Sequence, residues 1–171
     1  MLGSTDNAGM ECVASDMTSF DVKGIYYELN LYMDLWNNKI VSYGLSSKKG
    51  DRTTYTDGLS QSIEKKKEYT NLKLVLHTDQ VSVYSLKSFN EPLPLYNIIH
   101  SMSLAETPTD NGAIKSINGW IKTKIFIDFN IKEPDDVEEF IKDYLVYFNE
   151  QRPAYPLNHL TPKQYKEVFN Q

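Results

Sequence analysis

The chain has 171 residues, 40% of them hydrophobic and 24% charged, which is enough for one domain with a real core. No apolar run approaches the length of a membrane span, and the N-terminus lacks the basic-then-apolar order of a secretory signal, so a cytoplasmic location is expected. The single cysteine, Cys12, excludes a disulfide framework and a thiolate zinc cluster, and a net charge of −5 excludes a free-standing nucleic-acid-binding module of the usual basic kind.

Residues 1–11 mix Gly, Ser, Thr, Asp and Asn without periodicity and read as a disordered tail; one domain is expected over 12–171. Cys12 to Phe20 is compatible with a strand that contains Asp16. Asp21-Val22-Lys23-Gly24 reads as a turn, and Ile25 to Met33, rich in Tyr and Leu, as a second strand. Asp34 to Lys39, with Asn37-Asn38, is a tight hairpin connection that makes Asp34 a turn residue. Ile40 to Leu45 is a third strand, so the first three form an antiparallel meander.

Thr53 to Tyr69 reads as a helix with Leu59 and Ile63 on its buried face. Lys65-Lys66-Lys67 form a solvated, dipole-favoured end rather than a DNA patch. The apolar run Leu74 to Leu76 is the heart of a fourth strand, Lys73 to His77. It ends in His77-Thr78-Asp79, so a carboxylate stands at the C-terminal edge of the sheet, where open α/β sheets place their chemistry. Ser85 to Leu95 looks helical but is cut by Pro92 and Pro94, and Ile98 to Met102 is a short fifth strand. Asn111 to Phe126 has Ile at near-helical spacing. From Pro134 a further helix carries Val137, Phe140, Ile141, Tyr144, Leu145 and Phe148 as its apolar stripe, with acids crowding its first turns. Leu160 to Tyr165 opens a capped terminal helix. Three adjacent strands, then alternating helix and strand, then helices predict an α/β, ribonuclease-H-like fold: a five-stranded mixed sheet flanked by helices.

Asp16 on the first strand and Asp79 at the end of the fourth are placed to meet across neighbouring strands. Paired carboxylates are the hard oxygen ligands that Mg²⁺ or Mn²⁺ requires. His77 is read as a structural strand residue, since no second His or Cys lies at metal spacing, and Trp36 and Trp120 as packing residues.

At this point the chain resembles a family. Ser15-Asp16-Met17-Thr18, Tyr32-Met33-Asp34-Leu35, Leu76-His77-Thr78-Asp79-Gln80, Ser101-Met102-Ser103 and Thr109-Asp110-Asn111-Gly112-Ala113 follow one another in a specific order. Asn118-Gly119-Trp120-Ile121-Lys122, Tyr147-Phe148-Asn149-Glu150-Gln151-Arg152-Pro153 and Leu160-Thr161-Pro162 complete it. Together they look like the integrase-type catalytic core of insertion-sequence transposases, in the retroviral integrase superfamily. The match runs from about Val13 to the end and implies a truncated transposase without the N-terminal DNA-recognition domain.

The resemblance implies metal-dependent phosphoryl transfer on DNA by an Asp-Asp-Glu triad, with Mg²⁺ or Mn²⁺ on Asp16 and Asp79. The family's glutamate follows the second Asp after 35 intervening residues and the Asp of the Asp-Asn pair by five. Counted from Asp79 and from Asp110, both spacings end on Lys115. A cation there repels the metal: at an effective ε of 20 and 4 Å a unit pair is worth about 4 kcal/mol, and a divalent ion doubles it. Glu106 and Asp110 lie in a loop and at a helix start, and Asp110 is better explained as an N-cap. Val81 stands where relatives carry Gly, and Lys124 where many carry an acid. Lys122 and Arg152 are weak candidates for DNA phosphate, Arg152 being explained equally by helix capping or an ion pair. The expectation is a catalytic core whose partners by family are DNA and a second copy or an intact transposase, and whose activity is lost at Lys115. The alternative is a non-enzymatic protein that dimerises with intact transposase and inhibits it.

Overall fold

The computed structural model describes residues 10–67, 73–79, 82–102, 115–116, 118–119, 123 and 137–169. Its centre is a five-stranded sheet. β1 (Cys12–Val22), β2 (Ile25–Asp34) and β3 (Lys39–Ser46) form the antiparallel meander, and β4 (Leu74–Thr78) and β5 (Ile98–Met102) add to it in parallel. The strand order is β3-β2-β1-β4-β5. The sequence therefore continues on the other side of β1 after β3, which makes the β1/β4 boundary the topological switch point.

The first hairpin is tighter than the four-residue turn expected over 21–24. Val22 still pairs with Ile25, and only Lys23 (φ +49°) and Gly24 (φ +81°) lie in the loop. Two left-handed residues make the turn that matches the twist of a hairpin. The expected tail is also shorter. The Met10 N–H donates to the Asp34 carboxylate at 3.0 Å, and the Glu11 carbonyl accepts from Val75 N–H at 2.8 Å, so the sheet's hydrogen bonding reaches back to residue 10. The rest of the tail lies outside the described residues. Asp34 ends β2 and, as a turn residue, accepts the Trp36 N–H at 3.0 Å. Burial pushes its carboxyl above the usual range against the pull of these bonds.

α1 (Thr53–Lys66) covers one face of the sheet and buries Tyr55, Leu59 and Ile63 with Val13, Tyr32, Val41 and Leu76. It ends three residues earlier than expected. Its basic end is not fully solvated: Lys66 is buried, and the Lys65 ammonium donates to the Val41 carbonyl. The helix expected over 85–95 is reduced to α2 (Lys87–Asn90) and a 3-10 turn at Leu93–Tyr96, as Pro92 and Pro94 dictate.

The opposite face is covered by α3 (Val137–Glu150). Its stripe Val137, Phe140, Ile141, Tyr144, Leu145 and Phe148 is wholly buried against Ala14, Phe20, Leu29, Leu31 and Met33. Each such side chain contributes about 1.5–3 kcal/mol. Of the helix expected over 111–126, residues 115, 116, 118, 119 and 123 are described, and all are helical.

α4 (Pro162–Phe169) begins with a reciprocal cap. Thr161 Oγ1 accepts from the Gln164 N–H at 3.1 Å, and the Gln164 side chain accepts from the Thr161 N–H at 3.0 Å. Thr161→Ala should lower stability by about 1 kcal/mol, with α4 fraying first. A urea titration followed by Trp36 fluorescence reads this, because Trp36 meets Tyr165 of α4 edge-on at 5.4 Å.

Candidate active site

The chemistry-bearing residues collect at the switch point. Ser15 of β1 pairs in register with Thr78 of β4, so Asp16, within β1, and Asp79, the first residue after β4, follow one pair of partners on neighbouring parallel strands. Asp16 is 8% exposed. Burial is the first cause that pushes its carboxyl above the ordinary carboxylate range. The Asp79 charge pushes the same way, while a hydrogen bond from Asn118 and the cation of Lys115 pull it down. Two residues far apart in sequence, Asp79 and Lys115, therefore act on Asp16 at once.

Lys115 and Asn118 are helical residues three apart and so share a face of their helix. That face is turned to β1: Asn118 Nδ2 donates to Asp16 Oδ2 at 2.9 Å. Asn118 belongs to a motif visible in the sequence but carried no assigned role there; its i, i+3 spacing from Lys115 is the signal that finds it. Two tyrosines also border the group. Tyr55, on the first turn of α1, has its phenol pushed up to about 12, first by burial and then by Glu28, Asp79, Tyr26 and Asp16. Tyr84 is raised well above the ordinary tyrosine value by burial and by Tyr32, with Asp79 contributing. Neither lies in a sequence pattern that marks it, and only the tertiary arrangement brings them near the acids.

The remaining candidates fall elsewhere. His77 is a strand residue whose Nδ1 lies 3.3 Å from Ser101 Oγ. Arg152 follows the end of α3 with its guanidinium 5.2 Å from the centre of the Phe148 ring. Lys122, Glu106, Asp110, Val81, Lys124 and Trp120 lie outside the described residues.

A site for divalent cations needs three or more hard ligands converging on one point. Among the described residues, no three His, Cys, Asp or Glu side chains do so. Among the described residues, Asp16 and Asp79 supply two carboxylates, and the helix face that bonds Asp16 carries Asn118 and Lys115, an amide and an ammonium, so the described donors do not by themselves complete a site for a pair of divalent ions.

Residues 96–162 match the model of the "Integrase core domain" family. The chain is similar to two bacterial proteins named as transposases. One is that of insertion sequence element IS150 from Escherichia coli, 28% identical over 152 residues that make up 89% of this chain and 53% of that protein. The other is that of insertion sequence element IS904 from Lactococcus lactis, 27% identical over 153 residues, 89% of this chain and 59% of that protein. The chain thus spans between half and three fifths of the length of these relatives. Among solved structures it resembles the HTLV-2 integrase catalytic core domain in complex with magnesium. That likeness has a TM-score of 0.67 at 20% identity and covers 91% of this chain and 95% of that one. The fold is accordingly ribonuclease-H-like, a five-stranded mixed sheet with helices on both faces.

Proposed function

We propose, from the premise that this chain is an integrase-type catalytic core of the kind found in insertion-sequence transposases, that it serves DNA transposition and that its own phosphoryl-transfer site is inactive. Transposases of this kind act on DNA, and divalent metal accompanies related cores. Here Asp16 and Asp79 are read as the inherited ligands and Lys115 as the replacement of the third carboxylate.

The observation that carries this reading is the place of Lys115, on the helix face from which Asn118 bonds Asp16. Burial keeps the Asp16 carboxyl above the ordinary range, and the lysine's charge pulls against that where a metal would have to act. An ammonium so placed offsets part of the negative charge that draws a divalent ion in, and offers no lone pair in return. Asn118 further engages Asp16 Oδ2, leaving that oxygen partly satisfied by protein alone. What the chain's residues do in this arrangement is offset part of the cost of burying the Asp16 carboxyl, Asn118 by a hydrogen bond and Lys115 by its charge. DNA and a second copy, or an intact transposase, are the partners proposed with this reading.

The test is calorimetric titration of Mg²⁺ and Mn²⁺ into the wild-type chain and into Lys115→Glu. The wild type should give no saturable heat at millimolar metal, and Lys115→Glu should bind Mn²⁺ at least tenfold more tightly. Equal, tight binding by both chains would mean another acid completes the site and the inactivity reading is wrong. Divalent-metal-dependent nicking of DNA by the wild type would dispose of it as directly.

A further inference from the structure

Ser15 and Thr78, the paired residues that immediately precede the two carboxylates, are also joined by a second route. The Ser15 hydroxyl lies 2.8 Å from the Tyr84 hydroxyl, and both reach Asn30 Oδ1, at 3.2 and 3.0 Å. The Tyr84 carbonyl accepts from Asn90 Nδ2 at 2.6 Å, and the same amide donates to the Leu86 carbonyl at 2.9 Å. Asn90 Oδ1 meets His100 Nδ1, and His100 Nε2 lies 2.8 Å from Thr78 Oγ1.

The direction of these bonds follows from counting donors. Asn90 gives its two amide protons to two carbonyls, so only its oxygen is left for the ring of His100. An amide oxygen only accepts, so His100 carries its proton on Nδ1 and turns Nε2 to the Thr78 hydroxyl. Side chains from β1, β2, β5 and the 84–90 segment thus close a circuit from Ser15 to Thr78. Tyr84 follows Asp79 by five residues in the chain. Tyr84 is fully buried, and its ring meets Tyr55 and Phe89 edge-on, each at 5.2 Å.

We propose that this circuit, with Tyr84 at its centre, positions Asp79 against Asp16. Strand pairing runs to Thr78, the residue before Asp79, and sets it beside Ser15, the residue before Asp16. The circuit grips the chain on both sides of Asp79, at Thr78 and at Tyr84. Tyr84 ties the segment beyond Asp79 to the strand that carries Asp16, and His100 ties the residue before Asp79 to the same segment. Satisfying buried polar groups accounts for the presence of partners. It does not account for all of them closing on the two residues that flank the acids. The positioning role rests on the reading of Asp16 and Asp79 as the inherited ligands.

Tyr84→Phe removes the hydroxyl and keeps the ring packing. In the full chain, backbone amides of residues 76–79 should exchange with deuterium at least tenfold faster, while those of α3 change by less than twofold. Placed on Lys115→Glu, the same substitution should weaken Mn²⁺ binding at least tenfold. Unchanged exchange at 76–79, or an increase spread equally over the sheet and α3, would overturn the proposal, because the bonds would then serve stability alone. Should Tyr84→Phe not fold, Ser15→Ala opens the circuit at its other end and is read the same way. A Lys115→Glu chain that binds no Mn²⁺ counts against the ligand reading, while the exchange measurement still decides the circuit.

Discussion

Gly44→Ala should cost about 3 kcal/mol or more, because the clash it makes is with backbone and no rotamer relieves it. A Cβ at position 44 would overlap the Thr54 carbonyl oxygen and lie 2.7 Å from the Thr54 carbonyl carbon and 3.0 Å from its Cα. Gly44 therefore marks where the first turn of α1 rests directly on β3. Gly58, one helical turn further on, repeats the device: a Cβ there would stand 2.5 Å from the Tyr32 ring. Tyr32 is itself tied to α1 through its hydroxyl and the Tyr55 carbonyl at 2.8 Å, so it cannot swing aside without losing that bond. For a chain of this length each kcal/mol lowers the melting temperature by roughly 2–4 °C, so a fall of about 10 °C is expected. Gly119 is the control. It is helical with nothing within 4 Å of an added Cβ, and Gly119→Ala should be neutral or stabilising by up to about 1 kcal/mol. Thermal melts that find Gly44→Ala within 2 °C of the wild type would mean α1 does not sit on the sheet as described.

Asn149→Leu should destabilise the chain by about 2–3 kcal/mol and make it associate, through a different cause. β3 is an edge strand, and its outward N–H and C=O groups are a template for pairing with another chain. The side chain of Asn149 satisfies both groups of Ile40. Its Oδ1 accepts from the Ile40 N–H at 2.9 Å, and its Nδ2 donates to the Ile40 carbonyl at 2.9 Å. A side-chain amide thereby imitates one rung of a neighbouring strand. Gln61 Nε2 donates to the Tyr43 carbonyl at 2.9 Å, and Lys65 to that of Val41, so side chains seal the edge along much of its length. Leucine at 149 fills space but leaves the Ile40 groups bare. Light scattering should then show concentration-dependent association alongside the lowered melt. Asn149→Asp is the sharper variant: it keeps the acceptor for the Ile40 N–H and sets a carboxylate against the Ile40 carbonyl. It should be at least as damaging at neutral pH and partly recover on acidification. A melt of Asn149→Asp that matches the wild type would show that the paired amide bonds contribute nothing.

These two positions also mark what can be read from the chain and what cannot. The strands were legible because apolar runs bounded by turn residues are local signals; β5 falls at Ile98–Met102 as expected, and the apolar stripe of α3 is buried residue for residue. Spacing singles out Lys115, which shares a helix face with Asn118, the residue that bonds Asp16. The Asn149 rung was not legible, since its partner lies 109 residues away and an Asn near a helix end ordinarily reads as a cap. The Tyr84 circuit was hidden for the same reason: Ser15, Asn30, Tyr84, Asn90, His100 and Thr78 share no spacing that a period of 2 or 3.6 would reveal. Met10 and Glu11 were misjudged from composition, which has no way to register that one buried carboxylate, Asp34, reaches back to a main-chain N–H.

The strand order carries a consequence for how the molecule comes into being. β1, β2, β3 and α1 occupy one continuous stretch, Cys12 to Lys66, and the strand contacts within it are between sequence neighbours. Such hairpins close on a time scale of about 1–10 μs. β4 must instead return across the whole meander to pair with β1, Cys12 meeting Val75, and contacts so distant in sequence form late because the intervening loop must be ordered first. Asp16 is thus in place early, on a strand that is already half of a hairpin, while Asp79 arrives only with the parallel pairing of β4 to β1. During synthesis there is an interval in which a structured meander exposes the β4 side of β1 as an open edge. In that interval the acidic pair does not yet exist.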